Sequence, residues 1–143
     1  MAASKSYLVP VDFSKGSEAA LRLAVKIAKK DRSKLLILHV ISATFAFPLE
    51  TGFIDIIERL EQDARRALAK FTRRLRLKPG SFRPVLIRAV EPASTIADQA
   101  KKSRAAMIIM GSHGRTGLQR LMIGSVAERT LRYAHCPVLI VKK

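Results

Sequence analysis

Apolar residues occur along this chain in two patterns: short continuous runs, and longer segments in which they recur every three or four positions. The first pattern predicts five strands and the second predicts four helices. Leu35–Leu38 is apolar at every position, which is typical of a parallel strand covered by helices on both faces. The predicted strands are Tyr7–Asp12, Lys34–Ile41, Phe82–Ala89, Ala105–Met110 and Pro137–Val141, and the predicted helices follow the turn Ser14–Ser17 and cover Phe53–Leu77, Pro92–Ser103 and Val126–Ala134.

The alternation of strands and helices predicts an α/β fold: an open, Rossmann-like parallel sheet with helices on both faces and right-handed crossovers. The length of 143 residues suits a single domain with its own core, spanning residues 1–143. Ligands bind such sheets beyond the carboxyl ends of the strands, where the strand order reverses. Pro10 cannot donate to a ladder, so it fits the first strand only if the pairing on that side has ended there.

A glycine-bearing loop follows the fourth strand. Gly111–Gly114 (Gly-Ser-His-Gly) begins the loop, and Gly124-Ser125 opens the last helix. A strand, a glycine loop and a helix start in this order aim backbone N–H groups at a phosphate. Ser125 is interpreted as the N-cap or as a phosphate donor, and Arg115 and Arg120 add cations between the glycines. No Gly-Lys-Ser/Thr follows, so the loop is not a Walker A motif.

Asp12 and the histidines are the titratable candidates for the site. Asp12 either binds a ribose hydroxyl or an adenine amine, or caps the helix that follows; the residues alone favour the cap. His113 lies between two glycines and is placed to reach a phosphate, whereas His39 lies in a buried strand and is interpreted as a core histidine. His135 follows the last helix and is interpreted as a partner of its dipole.

Charge is the unusual part of the composition. The chain carries 27 Lys and Arg against 11 Asp and Glu, a net charge of +16. This favours nucleic acid, an anionic membrane or another polyanion as a partner, or else a well-solvated surface with cations at helix ends. No apolar run reaches the roughly 18 residues of a membrane span, and no apolar signal core opens the sequence, so a cytoplasmic protein is expected. The single Cys136 allows no internal disulfide and no cysteine-based metal cluster.

Several segments resemble the universal stress protein family, and the likeness covers essentially the whole chain. The main segments are Met110–Gly117, Leu121–Arg129 and Cys136–Val141, and Val9–Ser14 and Leu38–Val40 add to them. The spacing Gly-x2-Gly-x9-Gly-Ser is similar to that of the ATP-binding branch of the family. The charge of +16 is not a feature that the resemblance explains.

The resemblance implies a sheet in the order 3-2-1-4-5, which makes the first and fourth strands neighbours. It also implies ATP as the cofactor, with Mg²⁺ or Mn²⁺ held mainly through the phosphates, and a homodimer that pairs the apolar edge strand Val138–Val141 of two copies. The implied nucleotide-binding residues are Pro10, Val11 and Asp12 with the backbone of Val40 at the nucleoside end, and Met110, Gly111, Gly114, Gly124, Ser125 and Val126 around the ribose and phosphates, beside His113 and Arg115.

The function expected on these grounds is that of an ATP-binding stress-response protein in which the nucleotide is a regulatory or structural ligand. One alternative is a basic module that binds nucleic acid or another polyanion, although the chain has only two tyrosines and no tryptophan for base stacking. A second alternative is a weak ATPase, for which Asp12 and His113 are the only candidate catalytic groups.

Overall fold

A computed structural model of the chain describes residues 5–42, 53–113 and 122–142. Within these ranges strands and helices alternate throughout, so the predicted α/β class is confirmed. Gly114 and Arg115 of the predicted site lie outside the described residues. The elements are β1 (Ser6–Pro10), α1 (Lys15–Asp31), β2 (Lys34–Ser42), α2 (Phe53–Arg74), β3 (Phe82–Ala89), α3 (Pro92–Lys102), β4 (Met107–Gly111), α4 (Ser125–Tyr133) and β5 (Val138–Val141).

The five strands form one parallel sheet in the order β3-β2-β1-β4-β5, which confirms the predicted order. The two ladders on β1 differ in length. Pairing with β2 continues to Pro10↔Leu38, whereas pairing with β4 ends at Leu8↔Ile108. Pro10 therefore lies beyond the β4 ladder, where its missing N–H costs no hydrogen bond. The strands β1 and β4 separate at this point, and a crevice opens between their carboxyl ends.

Hydrophobic side chains form one cluster on each face of the sheet. Successive residues of β1 point to opposite faces, so Val9 joins the cluster with Leu21 and Phe71 of α1 and α2, while Leu8 joins the cluster with Ile96 of α3. Cys136 packs at the margin of the second cluster, where burial raises the pKa of its thiol. In the described ranges no helix combines the length and apolarity needed to cross a membrane.

Of the helices whose preceding residues are described, α1 and α3 begin with a side-chain cap. Ser14 caps α1 by accepting the Ser17 N–H at 3.2 Å, so the interpretation of Asp12 as this cap is wrong. Glu91 caps α3 by accepting the N–H groups of Ser94 and Ala93 at 2.7 and 3.2 Å. The Ser94 N–H is the main reason why the pKa of the Glu91 carboxyl lies below its usual range.

The last helix begins differently. Gly124 is the N-cap of α4 and supplies no side-chain hydrogen bond, so Ser125 is the first helical residue and its interpretation as the N-cap is wrong. Other element ends differ from prediction by one to three residues: β1 ends at Pro10, β4 runs from Met107 to Gly111, and α2 ends at Arg74. The residues after Arg74 form a helix cap rather than a further turn.

Candidate functional site

A cavity of about 300 Å³ lies at the carboxyl end of the sheet, where β1 and β4 separate. Its volume is within the range of roughly 300–1,000 Å³ that small-molecule sites occupy. The structure brings most of the predicted site residues together in its wall. Those lining the cavity are Pro10, Val11, Asp12, Val40, Met110, Gly111, His113, Gly124, Ser125 and Val126.

The backbone of α1 approaches β4 very closely beside this cavity. A Cβ atom built on Gly111 would lie 2.8 Å from the Gly16 carbonyl carbon, and one built on Gly16 would lie 2.6 Å from the His113 carbonyl oxygen. Real Cβ atoms do not occupy such positions, so only hydrogen fits at either residue. The glycines therefore set how near the first turn of α1 lies to the loop that follows β4.

The first turn of α4 forms a second wall. Gly124 donates its N–H to the Ser112 carbonyl at 2.7 Å, which ties the start of the helix to the end of β4. Ser125, Val126 and Ala127 follow, and all three line the cavity. The first N–H groups of a helix have no partner within it. Because Gly124 has no side chain to cap them, this turn offers the cavity backbone donors at the positive end of a nine-residue helix.

His113 lies in the same wall as a half-buried side chain. Its Nδ1 is 2.9 Å from the Ser112 hydroxyl oxygen. Its Nε2 is buried and has no hydrogen-bond partner within the described residues. A buried ring nitrogen without a partner costs free energy, so a ligand group that reaches it would gain a hydrogen bond.

Asp12 lines the cavity and holds the turn into α1. Its Oδ1 accepts the Ser14 N–H at 3.0 Å and also the Ser14 hydroxyl hydrogen. The Asp12 N–H donates to the Ser17 hydroxyl at 3.4 Å. The Asp12 carboxylate is therefore held in an Asx-type turn with Ser14, the residue that caps α1. It also lines the cavity.

The opposite end of the cavity is apolar. Leu38 and Val40 of β2 and Pro92 and Ile96 of α3 line it. His39 also lies in this wall, but its ring is 8% exposed and its Nδ1–H donates to the Val11 carbonyl at 2.8 Å. That contact agrees with the interpretation of His39 as a core histidine.

One ion pair joins the two helices that flank the cavity. Arg129 of α4 lies 3.5 Å from the Glu91 carboxylate at the start of α3. The side chains of Arg129 and Glu91 are 58% and 37% exposed, so solvent screens the pair and it contributes little to stability. Within the described ranges, no group of three or more His, Cys, Asp or Glu side chains is arranged to hold a metal ion.

Sequence reasoning missed several residues of the cavity wall. Gly16, which lies beside the wall against His113, also carried no signal, because the two residues are far apart in the sequence. Ser17 belongs to the turn before the first helix and Ser112 to the glycine motif, but neither was predicted to line the site, and Pro92 and Ile96 were placed on a helix with no indication that it reaches the site. Only the packing of α1 and α3 onto the sheet identifies them.

Comparison with known families gives a match over nearly the whole chain. The profile of the universal stress protein family matches residues 4–142. The chain is 35% identical over 141 residues to the universal stress protein MJ0531 of Methanocaldococcus jannaschii, an alignment that covers 97% of this chain and 82% of that protein.

Two solved structures share the fold. The structure of MJ0577, also from M. jannaschii, superposes with a TM-score of 0.85 at 27% identity and covers 97% of this chain and 96% of that one. A universal stress protein from Archaeoglobus fulgidus, solved in complex with dAMP, has a TM-score of 0.69 at 24% identity, with 99% and 100% coverage. The second likeness is one of fold.

Proposed function

We propose that this chain, which belongs to the universal stress protein family, binds ATP in the cavity between β1 and β4 as a regulatory or structural ligand. The observation that carries the proposal is the wall formed by β4 and α4. There, an uncapped helix start and the side chain of His113, whose Nε2 is buried without a partner, line one space together with Gly111 and Gly124. The complex of the A. fulgidus protein with dAMP adds support, since that protein has the same fold.

The phosphates are proposed to lie against α4. The N–H groups of Ser125 and Val126 point from the positive end of the helix, and phosphate oxygens accept such donors. The Nε2 of His113 is the second donor or acceptor on this side. Gly114 and Arg115, which lie outside the described residues, are proposed as further contacts because of their place in the glycine loop and, for Gly114, the family resemblance.

The adenine is proposed to lie at the apolar end. Val40, Pro92 and Ile96 offer an apolar surface against which a purine ring can be buried, and Val40 lies near the end of β2. Asp12, between the two ends, is proposed to accept a hydrogen bond from a ribose hydroxyl, with Pro10 and Val11 beside it.

A ligand role is favoured over hydrolysis by how the two candidate catalytic groups are used. The Oδ1 of Asp12 holds Ser14, and the Nδ1 of His113 interacts with the Ser112 hydroxyl. Both groups therefore stabilise the loops that shape the cavity. Mg²⁺ or Mn²⁺ is proposed to bind through the phosphates of the nucleotide, since a cation so held needs few protein ligands.

ATP is expected to raise the melting temperature of the purified protein by at least about 5 °C when its concentration is roughly 100 times Kd. Scanning fluorimetry and isothermal titration with ATP, GTP and UTP measure the shift, the affinity and the base preference. EDTA should weaken the binding of ATP without abolishing it. The absence of a shift with every nucleotide would contradict the proposal.

We also propose that two copies pair through β5. This strand lies at the edge of the sheet, and its residues Val138–Val141 are apolar and only half-buried. An apolar edge with unpaired backbone groups invites pairing with another strand. A two-fold axis would join the same edge of each copy.

Ile140→Pro is expected to convert such a dimer to a monomer. The carbonyls of Pro137 and Val141 accept hydrogen bonds from Ile108 of β4 and from Ser112 directly after it. Bonding directions alternate along a strand, so the Ile140 N–H faces away from β4. Proline would remove that outward donor while sparing the ladder with β4. Sedimentation equilibrium measures the mass, and circular dichroism checks the fold. A monomeric parent chain, or a variant that stays dimeric, would refute the pairing.

A further inference from the structure

We propose that the amino-terminal edge of the sheet, opposite the cavity, binds the phosphate backbone of double-stranded DNA without regard to sequence. This surface, here called the basic edge, is formed by exposed cations at the starts of strands and after the ends of helices. It consists of Lys5, Arg32, Lys34, Arg76, Arg83 and Arg104.

The basic edge is adjacent to little negative charge. The carboxylate that lies within it is Asp31, which accepts hydrogen bonds from the Tyr7 hydroxyl and the Ser33 N–H. The Tyr7 bond is the main reason why the pKa of Asp31 is lowered. The six ion pairs of the described residues all join other side chains, so none of them uses a cation of the basic edge.

Helix dipoles account for only part of the positive charge at this end of the sheet. Lys29-Lys30 and Lys101-Lys102 lie in the last turns of α1 and α3, where cations are favourable. Lys5, Lys34 and Arg83 instead precede or begin strands, and strands carry only small dipoles. Lys34 is hydrogen-bonded to Lys5 through the backbone, which places two cations side by side at the start of adjacent strands.

Three arginines of the basic edge occupy positions that normally favour glycine. Arg32, Arg76 and Arg104 follow α1, α2 and α3 and have φ angles of 58°, 53° and 52°. Each is followed by a residue whose N–H bonds back to the helix, as in the Schellman motif. The three bonds run from Ser33 to Ala28, from Leu77 to Thr72 and from Ala105 to Ala100, at 3.0, 3.3 and 2.9 Å.

The repeated presence of arginine at these left-handed positions is informative. Glycine is the usual residue at the left-handed position because an L side chain is strained there. This chain places arginine at all three such positions, and all three lie at the same edge of one sheet. A local preference that is broken repeatedly at one surface is expected where the side chain has a function.

The chemistry of the surface favours phosphate over lipid or bases. The exposed large hydrophobic side chains of the described residues lie elsewhere, on α2, at Val90 and between Met122 and Tyr133, so the basic edge offers no apolar wedge for a membrane and no aromatic ring for stacking. The cations lie at the starts of four neighbouring strands, β3, β2, β1 and β4, which at a spacing of about 4.8 Å span roughly 14 Å. A duplex presents about eight phosphate charges over that length, at one per roughly 1.7 Å.

The decisive variant carries Arg32→Gly, Arg76→Gly and Arg104→Gly together. It removes three cations and also relieves three strained backbone positions, so DNA affinity should fall while the melting temperature does not. Fluorescence anisotropy with a labelled 20-base-pair duplex at 50, 100 and 200 mM KCl measures the affinity. We expect a loss of at least about tenfold near 100 mM salt, and a salt slope smaller by up to about 2.7.

The matched control replaces Arg59, Arg65 and Lys70 of α2 by glutamine, which removes the same charge from another exposed surface. It should bind the duplex within about threefold of the parent. Equal losses in both variants, or an unchanged affinity of the glycine variant, would overturn the proposal. So would a parent chain that binds phosphatidylserine vesicles at 150 mM salt but not the duplex.

Discussion

Gly124→Val is expected to abolish ATP binding while the protein still folds. A Cβ at this position would lie 3.0 Å from the Ser112 carbonyl oxygen and 3.6 Å from the His113 Cα, so the two methyl groups beyond it must displace the loop or enter the cavity. The backbone at Gly124 has φ −63° and ψ 155°, which valine adopts without strain. We therefore expect the Kd for ATP to rise at least about 100-fold, equivalent to about 2.8 kcal/mol.

The measurement is an ATP titration by calorimetry, beside a thermal melt without nucleotide. Ala106→Val is the control, because Ala106 is exposed just before β4 and the change introduces the same side chain at the opposite end of that strand. The control should bind ATP as the parent does. If Gly124→Val binds ATP with the parent's affinity, the phosphates do not lie at the start of α4.

The strands were predictable because burial on both faces leaves a continuous apolar run. Leu35–Leu38 shows this in the sequence, and β2 is the strand that covers those residues. Strand order was not available from such runs, since pairing partners are separated by whole helices; it followed from the family resemblance. The crevice itself depends on where one ladder ends, and Pro10 was the only sequence signal of that point.

The candidate site was predictable as a set of residues but not as an arrangement. Gly124 and Ser125 show the difference. The motif marks a helix start, yet a helix can begin at either residue, and the choice decides whether the first N–H groups are capped by a hydroxyl or face the cavity. Asp12 shows the same ambiguity, because Ser14 lies only two residues later and is the residue that caps α1.

The composition shows how many cations the chain carries, but not where they lie on its surface. Arg32, Arg76 and Arg104 are separated by more than twenty residues each, and no motif links them. They meet at one surface because parallel strands joined by helices bring every helix end to the same edge. The clustering of these three arginines therefore follows from the topology of the fold. The net charge in the sequence did not indicate which surface carries it.

Gly16→Ala is expected to lower the free energy of unfolding by about 1–3 kcal/mol, the usual range for overpacking. The new Cβ would lie 2.6 Å from the His113 carbonyl oxygen, and because that oxygen belongs to the backbone and the Cβ position is fixed by the helix, neither can turn aside. The first turn of α1 must therefore move away from β4, and ATP binding should weaken with it. Urea denaturation measures the stability, and Lys15→Ala, one residue earlier and exposed, is the control.

Gly111→Ala tests whether Gly16 and Gly111 belong to one shared contact between α1 and β4. Its Cβ would lie 2.8 and 2.9 Å from the carbonyl carbon and oxygen of Gly16, so it forces apart the same two segments as Gly16→Ala. Once one alanine has separated them, the second costs less, and the double variant should lose clearly less stability than the sum of the single losses. Strict additivity would mean that the two glycines act independently, and that the position of α1 against β4 is not set by their contact.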